Sequence, residues 1–169
     1  MRLSVSRQRS GIGNVLPVKG ERPPGRAAKK DRRMRRKTIL VISADSLRAK
    51  IFHDCLEEAG FDVLIFDWNA EPAAAHRNEH AIQFVEGDEA GLVLLDWTLP
   101  DSSGIDLLRR LRSRPHSARL PVILIGESMQ EKDRLDGLEA GADLCISDPQ
   151  PIAVFLARVS ALLRRSYTK

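Results

Sequence analysis

The sequence predicts an α/β fold, a (βα)5 doubly wound parallel sheet, on three observations. Short apolar runs recur along the chain, each is followed by a segment with apolar residues at helical spacing, and Gly or Pro marks the joins. Runs that stay apolar without alternating suit strands covered on both faces, as in a parallel sheet.

Strand one is expected from Thr38 to Ser43. Helix one follows, with Leu47, Ile51, Cys55, Leu56 and Ala59 on one face and Gly60 as its stop. Asp62 to Phe66 reads as strand two. Ala73 to Val85 reads as helix two, entered after Pro72 and ended by Gly87 and Asp88. Strand three is the run from Gly91 to Asp96, closed by the turn residues Pro100 to Gly104. Ile105, Leu107, Leu108 and Leu111 give helix three its apolar stripe, and Pro121 to Ile125 forms strand four. Asp133 to Ala140 is helix four, stopped by Gly141; Leu144 to Ile146 is a short strand five, and Ile152 to Arg165 an amphipathic last helix. Right-handed crossovers with helices on both faces imply the strand order 2-1-3-4-5.

Charge divides the chain in two. The first 37 residues hold 13 Lys and Arg against two acids, Glu21 and Asp31, whereas the remaining 132 hold 14 basic and 21 acidic residues. The overall pI of 9.4 therefore misdescribes an acidic body of ordinary single-domain size. Residues 1–37, rich in Arg and interrupted by Pro17, Pro23 and Pro24, are expected to form a disordered basic tail. Three readings stay open for it: a true start at Met34 with an inert upstream segment, non-specific anion binding, and organellar targeting. Cys55 and Cys145 have no CxxC partner, and no apolar stretch approaches the length of a membrane span, so a reducing, cytoplasmic setting is expected. His53, His76, His80 and His116 lack metal-ligand spacing and read as surface or packing residues.

The chemistry concentrates at Asp96. A carboxylate at the carboxyl end of a buried central strand stands where open α/β sheets bind ligands. Strand one ends beside it with Ser43, Ala44 and Asp45, at the point where the strand order reverses.

The body resembles the receiver domain of bacterial two-component response regulators, above all those of the winged-helix transcription-factor subfamily, and so a flavodoxin-like fold. The resemblance rests on Leu94-Leu95-Asp96-Trp97-Thr98-Leu99-Pro100 with Gly104, on Leu120 to Ile125, and on Asp133 to Asp143, in order and nearly at family spacing. It implies that Asp96 is the position of the phosphoacceptor, supplied by a histidine kinase. The resemblance also implies an acidic pair for magnesium after strand one, a hydroxyl after strand four and a Lys-Pro step after strand five.

This chain departs from that pattern at most of the supporting positions. Ser43 and Ala44 replace the acidic pair, leaving Asp45 with Asp96 as a weak metal set. Gly126 replaces the hydroxyl, with Ser128 two residues on, and Asp148 replaces the lysine before Pro149, a step expected to be cis by analogy. A unit charge pair at ~4 Å is worth roughly 1 to 4 kcal/mol, and exchanging a cation for an anion beside a phosphoryl group inverts its sign. A pocket stripped of its positive charges is therefore expected, in which Asp96 either still accepts phosphate or merely caps the following loop. Cys145 stands where the family often carries a switching aromatic residue.

The resemblance thus implies a stand-alone, atypical receiver acting as a protein-interaction module with impaired phosphorylation; the alternative is a working acceptor in a His-Asp relay. No enzymatic activity is expected. Haloacid-dehalogenase-like phosphatases need a second Asp where Thr98 stands, and cobalamin and flavin sites lack their His and Ser/Thr-rich loop. Only four residues follow Arg165, so no output domain is expected. Partners are a histidine kinase or another signalling protein. A homodimer would use helix four, strand five and helix five, with Arg158, Arg164 and Arg165 against Asp133, Asp136 and Glu139. The tail lacks aromatics and a recognition helix, so only non-specific nucleic-acid contact is expected.

Overall fold

The computed structural model describes residues 38–70, 76–87, 90–148 and 150–166. The basic tail and Pro149, with its expected cis bond, lie outside the described residues. Chain order is β1 (Thr38–Ser43), α1 (Ser46–Glu58), β2 (Asp62–Asp67), α2 (Arg77–Gly87), β3 (Leu92–Asp96), β4 (Thr98–Leu99), β5 (Ser102–Ser103), α3 (Gly104–Arg112), β6 (Val122–Glu127), α4 (Glu131–Glu139), β7 (Leu144–Asp148) and α5 (Ile152–Ser166).

The five long strands form one parallel sheet in the order β2-β1-β3-β6-β7, the expected topology once the small antiparallel β4–β5 ribbon is set aside. That ribbon was not foreseen, because two-residue strands carry no periodicity. Several elements differ from expectation by a residue or two at their ends, and the expected start of helix two at Ala73 lies outside the described residues. α2 runs to Gly87 instead of Val85, and β7 continues past Ile146 to Asp148. The latter places Asp148 on the sheet, beside Glu127 of β6 in the strand register.

Every residue of β3 is buried, which accounts for a run with no polar alternation. Its side chains point alternately to two cores. Val93 and Leu95 join Ile82 and Val85 of α2 and Leu107, Leu108 and Leu111 of α3. Leu92 and Leu94 join Leu56 of α1 and Phe155, Val159 and Leu163 of α5 on the other face. A strand gripped on both sides is a rigid mount for the residue at its end.

The turn after β3 is held as firmly as the strand. Gly104 donates its N–H to the Trp97 carbonyl at 2.9 Å. A Cβ on Gly104 would collide with the Asp96 backbone carbonyl, so only glycine permits the approach of α3 to the strand end. Trp68, fully buried, donates its indole N–H to Asp101 at 2.7 Å, and Arg77 pairs with the same carboxylate at 2.8 Å.

Gly104→Ala should lower unfolding stability in urea by about 1–3 kcal/mol, the usual range for overpacking a tight site. An unchanged midpoint would mean that α3 does not abut the strand end as described.

Candidate functional site

Asp96 is 4% exposed at the end of β3. Three groups converge on its Oδ2. The Ser43 hydroxyl donates to it, the Ala44 N–H reaches it at 3.3 Å, and the Arg48 guanidinium (Nη2) lies at 3.2 Å. Burial pushes the Asp96 carboxyl above its ordinary value, and Ser43, Arg48 and Ala44 offset this only in part. Among the described residues, these contacts leave Oδ1 unengaged.

Arg48 corrects the expectation of a pocket without positive charge. Its side chain is 15% exposed and bridges Asp96 to Glu127, whose Oε1 lies 3.5 Å from Nη1. The placement follows from local rules. Asp45 adopts extended backbone and caps α1, its carboxylate accepting the Arg48 N–H at 3.0 Å. Residue 48 is then the third of the helix, and helical side chains lean toward the N-terminus, here toward the carboxyl edge of the sheet. The capping pair of Asp45 and residue 48 was the signal that sequence reasoning did not use.

The other expected positions fare differently. Ser43 is buried and its hydroxyl donates to Asp96, so it is a part of the site rather than a bare loss. Asp45, expected as the second metal ligand, has its carboxylate engaged in capping. At Gly126 a side chain would press on Met129 and on Trp97 Cβ, each 3.0 Å from an added Cβ, so the space for a hydroxyl-bearing residue is already filled. Ser128 is exposed in the next turn, at φ 49°, and does not take over that position. Asp148 is half-buried at the end of β7. With Asp45, Arg48 and Glu127 it lines a cleft of ≈ 330 Å³ whose walls include Ile51, Phe52 and Phe155. Cys145 packs against Gly137 on α4, where any side chain would strike its Sγ, and burial pushes its thiol up.

A divalent ion does not suit this donor set. The acidic pair is a serine and an alanine, the Asp45 carboxylate is a helix cap, and the oxygen of Asp96 nearest β1 already faces a guanidinium. Among the described residues no cluster of three or more His, Cys, Asp or Glu forms a candidate metal site. Magnesium asks for near-octahedral oxygen ligands, including one or two carboxylates, and these residues do not offer them.

The expected interface residues all lie on the α4, β7 and α5 edge. Asp133 closes the capping box of α4 with Gln130, and Arg158 reaches Gln150 at 3.4 Å. Asp136 is half-buried; Glu139, Arg158, Arg164 and Arg165 are exposed. Leu135 and Leu138 stand out from α4 at 55% and 50% exposure. No described helix is long and apolar enough to cross a membrane.

The family profile described as response regulator receiver domain matches residues 39–160. The chain is 32% identical over 130 residues to the phosphate regulon transcriptional regulatory protein PhoB of Pseudomonas aeruginosa, covering 77% of this chain and 53% of that protein. It is 35% identical over 130 residues to the transcriptional regulatory protein GltR of the same organism, covering 77% and 50%. The chain thus spans about half the length of these curated relatives. Among solved structures, the signal receiver domain of a signal transduction histidine kinase from Syntrophus aciditrophicus superposes with a TM-score of 0.67 at 25% identity, covering 79% of this chain and 94% of that one.

The raised Asp96 carboxyl sets a pH dependence. Between the ordinary value of 3.8 and its raised value, the folded chain retains a proton that the unfolded chain has released, so this group's contribution to stability falls as pH rises through that window. Asp96→Asn removes the slope. Measured by urea unfolding from below pH 3.8 to neutrality, the stability of the variant relative to wild type should climb with pH; parallel curves would refute the assignment.

Proposed function

Because this chain belongs to the response regulator receiver domain family, we propose that it is an atypical receiver that signals through protein contacts while its acceptor carboxylate takes up phosphate poorly. The observation that carries the reading is the ion pair of Arg48 with Asp96, in a site whose magnesium-binding acids are absent.

Phosphoryl transfer to Asp96 would bring a carboxylate against an anion, and the transition state spreads charge over three oxygens. The nearest cation, Arg48, is shared with Glu127, and Asp45 and Asp148 add negative charge around the same cleft. Each feature opposes the build-up of charge that the reaction requires. A second reading, a working acceptor in a His-Asp relay, is favoured by Asp96 Oδ1, which the three contacts on Oδ2 leave clear.

Partners in this reading are a histidine kinase or another signalling protein, with a second copy of the chain docking through α4, β7 and α5. The exposed Leu135 and Leu138 supply apolar surface, and Arg158, Arg164 and Arg165 oppose Asp133, Asp136 and Glu139 across the pair. The module has no catalytic turnover of its own and works in the cytoplasm, where its two thiols, both free, stay reduced.

Incubated with acetyl phosphate and magnesium, the purified chain should keep its unmodified intact mass. A near-stoichiometric gain of one phosphoryl group, lost in Asp96→Asn, would reject impaired acceptance and establish the relay reading. Arg158→Glu should weaken self-association in sedimentation by roughly tenfold, the effect of one reversed charge pair at a rim. Equal association of variant and wild type would count against this face.

A further inference from the structure

We propose that Arg48 is the resident cation of this site, standing in place of a divalent metal, so that the domain excludes magnesium instead of binding it weakly. The inference deepens the reading of an impaired acceptor and rests on it for the identity of the site.

The geometry supplies the reasons. Arg48 Nη2 faces Asp96 Oδ2 at 3.2 Å, and a metal ligated by either oxygen of this carboxylate would stand close to the guanidinium. The repulsion between two positive charges and one would weaken binding at least ~tenfold. Glu127, the other nearby acid, is engaged by the same guanidinium at 3.5 Å. Asp45 has its carboxylate on the N–H of Arg48 itself. The side chains that make the site unfit for metal are thus the ones that hold the arginine in place.

The smaller residues fit the same purpose. Ser43 replaces an acid yet still serves Asp96, by donating its hydroxyl where an acid would repel. Ala44 offers a backbone N–H to the same oxygen and carries no side chain into the space. Around a buried carboxylate this is a shell of two neutral donors and one fixed cation, all on one oxygen. Arg48 Nε is itself buried without a hydrogen-bond partner, so the guanidinium is held where its full hydration is lost. Such desolvation is tolerated where the charge has a buried counter-ion.

A guanidinium also behaves differently from an exchangeable ion. It cannot be diluted or chelated away, and it ties α1 to the ends of β3 and β6 through Asp96 and Glu127. The charge state of this edge is then independent of the magnesium concentration.

Paramagnetic Mn2+ titrated into the full 15N-labelled chain tests the proposal. Wild type should show no localised broadening at the amides of Ser43, Asp96 and Gly126, and magnesium should leave its thermal midpoint unchanged. Arg48→Ala should gain broadening at those amides, with at least ~tenfold tighter binding than wild type, and magnesium should raise its midpoint. Arg48→Gln, closer in shape, repeats the comparison if the alanine variant does not fold. Local broadening in the wild type overturns the proposal whatever the variants do. A folded variant without Arg48 that gains no site overturns it equally. Phosphorylation is a separate readout, since labelling of Asp96 in a chain that excludes Mn2+ would reject impaired acceptance and leave the resident cation standing.

Discussion

A carboxylate buried at the end of a central strand is the constraint around which this edge of the molecule is built. Leaving Asp96 ionised and unpartnered at 4% exposure would be prohibitive, so its charge must be matched within hydrogen-bond distance. The match comes from three successive layers of chain. A side chain at the end of β1, the next backbone N–H and a guanidinium from the first turn of α1 all meet one oxygen. Burial still wins over them, as the upward displacement of the carboxyl shows. The Asp96 carboxylate is therefore held at one oxygen by two neutral donors and a cation.

The fold makes that arrangement possible by placing β1 and β3 side by side in register, Ile42 against Leu95. The residues that follow the two strands then emerge together at the point where the sheet order reverses. Further fixation comes from outside the sheet. Trp68 and Arg77 hold Asp101 in the turn after β3, and the hydrogen bond from Trp68 leads the influences that draw the Asp101 carboxyl down. Gly104 brings α3 against the strand end. Asp96, the turn after β3 and α1 are thus located by independent contacts.

The sheet order and the principal helices were legible from the sequence, because a run such as Leu92 to Asp96 has only one sensible burial and its neighbours alternate with helical stripes. Asp96 was legible for the same reason, as a charge at the end of an apolar strand. Arg48 was not. Hydrophobic spacing puts Leu47, Ile51, Cys55, Leu56 and Ala59 on the inward face of α1, whereas Ala49, His53 and Leu56 are its buried residues and Leu47 and Ile51 face outward; nor does spacing say where a polar residue in the first turn will reach. That depends on the cap, on the lean of side chains toward the helix start and on the proximity of β3 and β6, which are tertiary facts. Gly126 was read as a missing hydroxyl, whereas the packing of Met129 and Trp97 shows that the volume is occupied. The β4–β5 ribbon escaped because it is too short to carry a period.

Comparing one position at a time treats Ser43, Ala44, Gly126 and Asp148 as four separate losses. Charge balance treats them together. Removing two acids from the end of β1 lowers the negative charge that an ion would neutralise, and a single guanidinium entering from α1 then suffices for Asp96. Glu127 and Asp148, neighbours in register at the ends of β6 and β7, place two like charges side by side, which is unfavourable unless a cation is near. Arg48 bridges to the first of them and lines the cleft beside the second. Glu127 is thus part of what retains the arginine. Arg48 and Asp148 line one cleft in which acids outnumber the single guanidinium, and it is Asp96 and Glu127 that the guanidinium engages.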